Sequence, residues 1–339
     1  MKLVALVERI DHVCTRYRLE AFRPILAEAG YNLDYELVPQ TWLARRRLGP
    51  RLAEADAVIV QRKLPDEALL AAIRRRAKFL IFDFDDAVWL RDSYSPKGLE
   101  SVKLSRRFQR LVGVCDLVIA GNAYLADHAK RFTNASVEII PTCVDPARYG
   151  MVDHTGEGED CRLVWIGSAS TLQGLDRFRA VLEQLGLGVP GLRLRLVCDR
   201  FLEFRNLAVE CVPWSEATEA ESLRSADIGI SWIPDDAWSR GKCGLKILQY
   251  QAAGLPVIAN PVGVHPEMVQ TNRMGILATE PQEWIDAVRT LIAYPGTRRA
   301  YGSAGREQVV RHFSVQAGAL RWIECLQKLL TPKRTRADG

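Results

Sequence analysis

The sequence predicts an α/β fold made of two doubly wound parallel-sheet domains in tandem. Short, continuously apolar runs alternate with helical stretches along most of the chain, which indicates parallel strands covered on both faces. The alternation breaks once, near residue 150, where the run DHTGEGED is polar and contains glycine, and then begins again. We therefore expect two Rossmann-like domains that face a cleft, with ligands at the carboxyl ends of their strands.

Each half of the chain contains six apolar runs that are typical of strands. In the first half they are residues 3–7, 33–38, 57–60, 79–82, 117–120 and 137–140. In the second half they are residues 163–166, 194–198, 209–212, 228–232, 257–259 and 275–277. This pattern predicts a first domain at 1–148, a linker at 149–161 and a second domain at 162–314. A helix at 315–330 and a flexible tail at 331–339 complete the chain.

Charge is distributed unevenly between the predicted domains. The whole net charge of +5 falls within residues 1–150, in basic clusters at 45–47, 74–76 and 103–110. Such clusters face anionic lipid, nucleic acid or an anionic substrate, or they are solvated helix faces. A helix predicted at 99–112 fits either a packed surface helix or one lying on anionic membrane. Aromatic residues are not interleaved with the basic ones, so nucleic acid is the least favoured partner.

Several classes of protein do not fit the sequence. The eight cysteines form no CxxC pair, which argues against a zinc site and favours reduced, mostly buried thiols. No GxGxxG follows a predicted strand, so a dinucleotide oxidoreductase is not expected. No apolar stretch approaches ~18 residues, the length of a membrane span. We expect a cytoplasmic protein, with the inner face of the cell membrane as an alternative location.

The most informative segment is WSRGKCGLKILQYQAAGLPVIANPVGV, residues 238–264. A glycine-bearing loop enters a predicted helix at 245–253, and a helix N-terminus offers free N–H groups that suit an anion. Lys242 precedes this helix and Lys246 lies in its first turn. A lysine there opposes the helix dipole, and a bound phosphate would make it favourable. The segment therefore predicts a phosphate-binding site.

This segment resembles the nucleotide-sugar-binding region of GT-B glycosyltransferases, specifically retaining family 4. The resemblance extends to LVWIGSASTLQGL, LRSADIGISWIP, LVIAGNAYLADHA and IIPTCVDPARY, in the same order as in that family. It implies a donor-binding second domain, an acceptor-binding first domain and a final helix that packs back on the first domain. It also implies sugar transfer with retention, without a metal or another cofactor.

The sequence departs from that family at positions that contact the donor. The two family glutamates, eight residues apart, are replaced by Gly241 and Gln249, and the family's arginine and lysine of the preceding loop by Ser168 and Gln173. We expect Lys242 and Lys246, assisted by Arg240, to supply the missing positive charge. The other expected donor contacts are Gly167, Ser168, Trp214, Gly241, Cys243, Gly244, Leu245 and Gln249.

Two segments of the first domain are candidates for binding the acceptor. The loop after the first strand contains His12, which could orient a hydroxyl or cap a helix, and Arg16 and Arg18, which could reach an anionic group. The run FDFDDA places Asp85 and Asp86 at the end of a buried strand. Close carboxylates raise each other's pKa, so such a cluster often has a use. Either residue could accept a hydrogen bond from an acceptor hydroxyl, or cap the next helix.

The function expected from these features is sugar transfer from a nucleotide-diphosphate sugar to a glycan, lipid-linked or small-molecule acceptor. Because no protein nucleophile is evident, Lys242 and Lys246 would stabilise the leaving diphosphate, and Asp85 and His12 would serve the acceptor. Two alternatives remain open. One is a non-catalytic sugar-nucleotide binder, and the other is a nucleotide-sugar epimerase that uses His265 and Glu267.

Overall fold

The computed structural model describes residues 1–154, 161–270 and 272–330. The described chain divides into two compact units. The N-terminal unit comprises Met1–Cys143, the short segment Gly241–Cys243 and the helix Val315–Leu330. The C-terminal unit comprises Val144–Arg240 and Gly244–Ser314. Part of the predicted linker and the whole predicted tail lie outside the described residues.

Each unit is built on a six-stranded parallel sheet, and the predicted fold class is confirmed. The N-terminal sheet has the order β2-β1-β3-β4-β5-β6. Its strands are β1 (Lys2–Val7), β2 (Asn32–Leu37), β3 (Ala57–Gln61), β4 (Leu80–Phe84), β5 (Leu117–Ala120) and β6 (Ser136–Ile139). The C-terminal sheet has the order β12-β11-β10-β7-β8-β9. Its strands are β7 (Arg162–Ile166), β8 (Arg193–Cys198), β9 (Ala208–Pro213), β10 (Ile228–Ser231), β11 (Val257–Ala259) and β12 (Gly275–Leu277).

Helices cover both sheets. In the N-terminal unit they are α1 (Val13–Arg18), α2 (Arg23–Glu28), α3 (Trp42–Glu54), α4 (Glu67–Arg74), α5 (Val102–Val114) and α6 (Ala123–Lys130). In the C-terminal unit they are α7 (Ala169–Arg177), α8 (Arg179–Gly188), α9 (Glu219–Arg224), α10 (Leu245–Ala252), α11 (His265–Val269), α12 (Pro281–Ala293) and α13 (Pro295–Gln308). The last helix is α14 (Val315–Leu330). Polar residues begin several helices in the expected way: the Asp66 side chain accepts from the Leu69 N–H at 2.9 Å and that of Asn122 from the Leu125 N–H at 3.0 Å.

The core of the N-terminal unit lies on both faces of its sheet. On one face, Leu3, Ala5 and Val7 of β1 pack in a cluster with Phe22 and with Trp322 of α14. Within this unit α14 contacts α2, so the last helix completes the cover of that face. On the other face lies a group of aromatic rings from β4, α5, α6 and their loops, comprising Phe82, Phe84, Trp89, Phe108, His128 and Phe132. Two apolar faces explain why the strands are continuously apolar.

The strand order fixes where a ligand site is expected in each unit. In the N-terminal sheet the chain leaves β1 for β2 on one side and later returns to β3 on the other. In the C-terminal sheet it leaves β7 for β8 and later returns to β10 on the other side. A crevice opens at the carboxyl ends of the strands where the direction reverses. The loops after β1 and β3, and those after β7 and β10, therefore flank the expected sites.

Candidate functional site

A fully buried ion pair forms the floor of the crevice in the N-terminal unit. Arg18 is 1% exposed, and its Nε donates to both carboxylate oxygens of Asp83 at 3.1 and 3.0 Å. Its Nη1 donates to the Ile140 carbonyl at 2.9 Å. Burial alone would lower the pKa of Arg18, but the Asp83 carboxylate raises it overall. The prediction that Arg18 reaches a substrate anion is wrong, because its guanidinium is already committed to a buried carboxylate.

Arg62 lies above this pair and organises the two aspartates that follow β4. It directly follows β3 and has a left-handed backbone, with a φ of 57°. Its guanidinium pairs with Asp86, lies 4.0 Å from the Asp85 carboxylate and donates to the Cys14 sulfur at 2.9 Å. A non-glycine residue in this region is strained, and such strain is often found at functional sites. Sequence reasoning missed Arg62, although its place directly after a strand next to the reversal point was a signal.

Asp85 combines an ionised carboxylate with an unused acceptor. Burial alone would raise its pKa, but the cations of Arg62 and Arg18 lower it below the usual value. Its Oδ1 is buried and has no hydrogen-bond partner among the described residues. A carboxylate oxygen in this state is able to accept a hydroxyl proton or its hydrogen bond.

His12 and Arg16 flank the same crevice. The His12 Nδ1 accepts from the Cys14 N–H at 3.2 Å and caps α1, which leaves its Nε2–H as a donor. Burial and the nearby Arg62 lower the pKa of His12, so the ring is neutral at neutral pH. Arg16 is half-buried, with its guanidinium carbon 5.4 Å from the centre of the Tyr17 ring.

The segment Gly241–Cys243 packs on the N-terminal unit and closes over the end of β4. The Asn122 amide donates to the carbonyls of Gly241 and Lys242 at 3.0 and 3.2 Å. The Cys243 thiol donates to the Asp85 carbonyl at 3.3 Å, and Cys243 is buried. A side chain at Gly241 would clash with the Ala87 backbone, which explains why the family glutamate is absent here. The predicted substrate contacts of Gly241 and Cys243 are corrected, because both residues serve packing.

Lys242 lies beside Asp86, one of the two aspartates that follow β4. Its Nζ lies 3.8 Å from the Asp86 carboxylate, within the N-terminal unit, whereas Lys246 lies in the C-terminal unit. The two lysines that were expected to act as one cationic pair are therefore held by different units. Lys242 neutralises a carboxylate, and the expected phosphate contact falls mainly to Lys246.

At the reversal point of the C-terminal sheet, the helix after β7 is already capped. The Ser168 N–H donates to the Thr171 Oγ1 at 3.1 Å in a capping box, and Gly167 precedes it at the end of β7. The Ala169 N–H donates to the Asp199 carboxylate at 2.6 Å. Asp199, which directly follows β8, was not anticipated from the sequence. An acid at a helix N-terminus occupies the place that a phosphate would take.

The helix α10 presents the opposite arrangement. It begins at Gly244, which has a φ of 67°, lies against Met268 and, being glycine, provides no side-chain cap of its own. Lys246 lies in its first turn, with its Nζ 4.8 Å from the centre of the buried Trp165 ring and 3.5 Å from the Thr171 Oγ1. The half-buried Leu245 begins the same turn. The N-terminus of α10 thus carries a lysine whose ammonium lies beside the loop after β7, an arrangement that suits an anion.

The remaining predicted donor contacts lie around α10 and after β9. Gln249 is 4% exposed on α10, and Arg240 is exposed and donates to the Asp235 carboxylate at 2.8 Å. Trp214 follows β9 and is half-exposed, and its Nε1–H donates to Glu219 at 2.9 Å. The other oxygen of this buried glutamate accepts from the Tyr149 hydroxyl at 2.7 Å. Trp214 is thus a fixed aromatic surface rather than a mobile side chain.

The described residues contain neither a metal-binding group of side chains nor a membrane-spanning helix. No group of three or more histidine, cysteine, aspartate or glutamate side chains among them is arranged to hold a metal ion. None of the helices in the described part of the chain has both the length and the apolar character needed to cross a membrane.

Comparisons with known proteins agree with this architecture. Residues 160–294 match the family model described as glycosyl transferases group 1. A D-inositol 3-phosphate glycosyltransferase from Segniliparus rotundus is 25% identical over 257 residues, which cover 68% of this chain and 54% of that protein. The chain thus spans about half the length of this curated relative.

Solved structures extend the likeness to nearly the whole chain. A sucrose-phosphate synthase from Thermosynechococcus elongatus gives a TM-score of 0.71 at 15% identity, covering 97% of this chain and 98% of that one. The Anabaena protein HepE, in complex with UDP and glucose, gives a TM-score of 0.67 at 16% identity, covering 97% and 100%. The chain therefore has the GT-B glycosyltransferase fold, and its residues 160–294 match the group 1 glycosyltransferase family.

Proposed function

We propose that the protein transfers a sugar from a nucleoside-diphosphate sugar to a hydroxyl group of a glycan, lipid-linked or small-molecule acceptor, with retention at the anomeric carbon. The observation that carries this proposal is the N-terminus of α10 at Gly244, with Lys246 in its first turn. This site flanks the reversal point of the sheet, where ligands of such folds bind. The UDP and glucose bound by the Anabaena protein of the same fold support a diphosphate donor.

In the C-terminal unit, Lys246 and the amides of α10 stabilise the diphosphate as it leaves. Negative charge grows on the leaving phosphate oxygens in the transition state, and fixed donors in a partly dry site stabilise that charge without reorganising. Trp165 and Thr171 hold the ammonium in place on one side. Trp214 supplies an aromatic face to the nucleobase. The ribose contact predicted for Gln249 is not part of this proposal, because its side chain is buried as those of Arg18 and Cys243 are.

In the N-terminal unit, Asp85 accepts the hydrogen bond of the attacking hydroxyl, and the His12 Nε2–H donates to a neighbouring acceptor oxygen. Arg62 keeps Asp85 ionised and holds Asp86, while Lys242 balances the charge of Asp86. The departing phosphate takes the hydroxyl proton on the same face of the sugar, so no protein nucleophile is required. Orientation of the two reactants contributes the rest of the rate enhancement.

The epimerase alternative is not favoured by the geometry. His265 is 2% exposed, its Nδ1 lies 2.9 Å from the Asn260 carbonyl and its Nε2 lies 3.3 Å from the Ser231 hydroxyl. Burial lowers its pKa to about 4, so it is a neutral core residue. A non-catalytic sugar-nucleotide binder remains the alternative, and it differs from the transferase only by the absence of turnover.

The first test is thermal stabilisation by UDP, GDP, ADP, TDP and CMP. We expect one diphosphate to stabilise the wild type selectively, and Lys246→Ala to bind it about 10- to 100-fold more weakly, because a hydrogen bond to a charged group contributes about 1.5–3 kcal/mol. Lys130→Ala is the control, since Lys130 is an exposed lysine paired with Asp127 on α6.

Product formation with the matching nucleotide sugar then separates the transferase from the binder. Stabilisation without turnover of any sugar, with a panel of glycan and lipid-linked acceptors, would favour the non-catalytic binder. If no nucleotide at millimolar concentration shifts the unfolding temperature, the proposed donor site at α10 is rejected.

A further inference from the structure

Two large apolar side chains are exposed side by side at the start of α3. Trp42 is 66% exposed and Leu43 is 59% exposed. They occupy the first two positions of the helix, after the cap Thr41, whose side chain accepts from the Ala44 N–H. Because α3 follows β2, this end of the helix lies at the carboxyl edge of the N-terminal sheet. An exposed tryptophan beside an exposed leucine is a feature of surfaces that bind something.

Arginines extend the same outward face of α3. Arg46 is one helical turn from Trp42 and lies over its ring at 5.5 Å, and Arg47 is one turn from Leu43. The opposite face of the helix is apolar and buried, with Leu48 at 6% and Leu52 at 2% exposure. The exposed tryptophan and leucine are therefore not part of the core, and they lie within a cationic surface.

Helix α5 continues this cationic surface, whereas α4, which lies between α3 and α5, begins with Glu67 and its Arg74 is paired with Asp116. Contacts place α4 beside α3 and α5 beside α4 on one face of the sheet. Helix α5 has no acidic residue in its sequence, and its exposed Val102 lies at the carboxyl edge, as Trp42 does. In the described part of the chain, no ion pair includes any of the following four cations. They are Arg46, Arg47, Lys103 and Arg106.

A pocket opens on this surface at the first turn of α5. Its volume is about 450 Å³, and Trp89, Leu90 and Val102 give it an apolar part. Its polar lining consists of Ser101, Ser105, Gln109 and Arg106, together with the acidic Glu100. A cation and hydroxyl donors beside an apolar surface suit a phosphodiester attached to an acyl chain.

We propose that the outward face of α3, α4 and α5 docks the protein on an anionic phospholipid surface. Trp42, Leu43 and Val102 enter the interfacial layer, where tryptophan is favoured because one part of its ring system is apolar and its N–H is polar. The unpaired arginines and lysine bind lipid phosphates, each contributing to the attraction near a negative surface. The occupant is lipid and not a protein partner because the uncompensated positive charge lies on two separate helices, α3 and α5, each beside an exposed apolar side chain at its start.

This surface also indicates the class of acceptor, an inference that rests on the proposed function. The docking residues at the starts of α3 and α5 lie at the same edge of the sheet as Asp85 and the crevice around it. An acceptor held in the bilayer surface would therefore meet the N-terminal unit at its hydroxyl-binding end. A lipid-linked acceptor is thus favoured over a freely diffusing one.

The test is flotation of the full chain with vesicles of phosphatidylcholine alone or mixed equally with phosphatidylglycerol. We expect binding to the anionic vesicles only, weakened strongly by 0.5 M salt because exposed charges are screened. Arg46→Glu together with Arg47→Glu should weaken binding about tenfold or more. The matched control is Arg193→Glu with Arg299→Glu, which makes the same change of charge at two exposed arginines of the C-terminal unit.

Trp42→Ala with Leu43→Ala tests insertion independently of charge. Brominated lipids should quench the tryptophan fluorescence of the wild type, and most of this quenching should be lost in the variant. Both variants should keep the wild-type unfolding temperature and nucleotide binding, since these side chains are exposed and belong to the N-terminal unit, whereas α10 belongs to the C-terminal unit. A failure of the donor site would therefore be seen separately from a failure of lipid docking.

Three results would overturn the proposal. The first is equal binding to neutral and anionic vesicles, and the second is equal loss of binding in the C-terminal control variant. The third is binding to soluble polyphosphate or heparin without binding to anionic vesicles, which would assign the surface to a soluble polyanion.

Discussion

At the carboxyl edge of the N-terminal sheet, charge is held in side-chain pairs, whereas at the corresponding edge of the C-terminal sheet it is offered by backbone amides and one lysine. Arg18 with Asp83, and Arg62 with Asp86, neutralise each other in the first unit. In the second unit, Lys246 lies at a helix N-terminus that begins with glycine. We therefore expect the first edge to accept hydrogen bonds from hydroxyl groups and the second to receive an anion.

The two units also differ in how charged and polar groups at these edges are compensated. A buried carboxylate without a cation would be protonated or would destabilise the fold, so each aspartate after β4 has an arginine nearby. In the C-terminal unit, Asp199 caps α7, whereas α10 begins at a glycine that provides no side-chain cap. Of these two helices, α10 is therefore the one that we propose for anion binding.

The largest effect is expected from breaking the buried pair on the N-terminal side. Arg18→Met leaves the Asp83 carboxylate buried and unpaired, and should lower the free energy of unfolding by about 3–5 kcal/mol. Arg18→Met with Asp83→Leu removes both charges and should cost less than the single change. Urea denaturation followed by circular dichroism measures both. If the free energy of unfolding of Arg18→Met were within about 1 kcal/mol of the wild-type value, the assigned role of this pair would be contradicted.

An intermediate effect is expected at Asp85. Asp85→Asn should lower kcat about 100-fold while nucleotide affinity stays unchanged, because the carboxylate serves the acceptor and not the donor. The measurement is steady-state transfer together with nucleotide binding. If Asp85→Asn lost as much nucleotide affinity as kcat, Asp85 would act on the donor. The proposed division of roles between the two edges would then be wrong.

The pH dependence of kcat in Arg62 variants tests the same role of Asp85. Its cation lowers the pKa of Asp85, so Arg62→Gln should raise that pKa, and the acid limb of the kcat profile should move to higher pH. Arg62→Gly is the companion variant, since it also removes the cation but relieves the left-handed backbone at a φ of 57°. A lower kcat with an unmoved acid limb in both variants would show that Arg62 acts only on structure.

The smallest effect is expected at Trp214. Trp214→Ala removes an aromatic face that Glu219 holds in place, and should weaken nucleotide binding about three- to tenfold, since stacking contributes about 0.5–1.5 kcal/mol. Trp214→Phe keeps a ring but loses the hydrogen bond to Glu219. Its nucleotide affinity should therefore lie between those of the wild type and Trp214→Ala. Isothermal titration with the preferred diphosphate checks the order. Equal affinities in all three proteins would remove Trp214 from the donor site.

The strands were predictable because a parallel strand buried on both faces is continuously apolar. All twelve predicted strands are present, and no end is displaced by more than two residues. The predicted start of α10 at Leu245 is confirmed, because Gly244 marks it in the sequence. The helix expected at 99–112 begins at Val102, since the Ser101 side chain caps it.

The site was less predictable than the fold. The roles of Asp85, Asp86 and Lys246 stay predictions, whereas the substrate contacts predicted for Arg18 and Cys243 are wrong because both side chains are buried. Sequence reasoning did not find Arg62 or Asp199, because each is a single charged residue directly after a strand. The cytoplasmic location and the absence of a metal or cofactor stay predictions.

The sequence by itself determined the two parallel sheets, the edges at which ligands are expected and the start of the helix proposed to bind phosphate, because these follow from local apolar patterns and from glycine at defined positions. Only the tertiary structure decided which cations have carboxylate partners. Lys242 and Lys246 are four residues apart, yet one lies beside Asp86 and the other over Trp165. The pairing of charges depends on contacts between distant segments, and no local pattern encodes it.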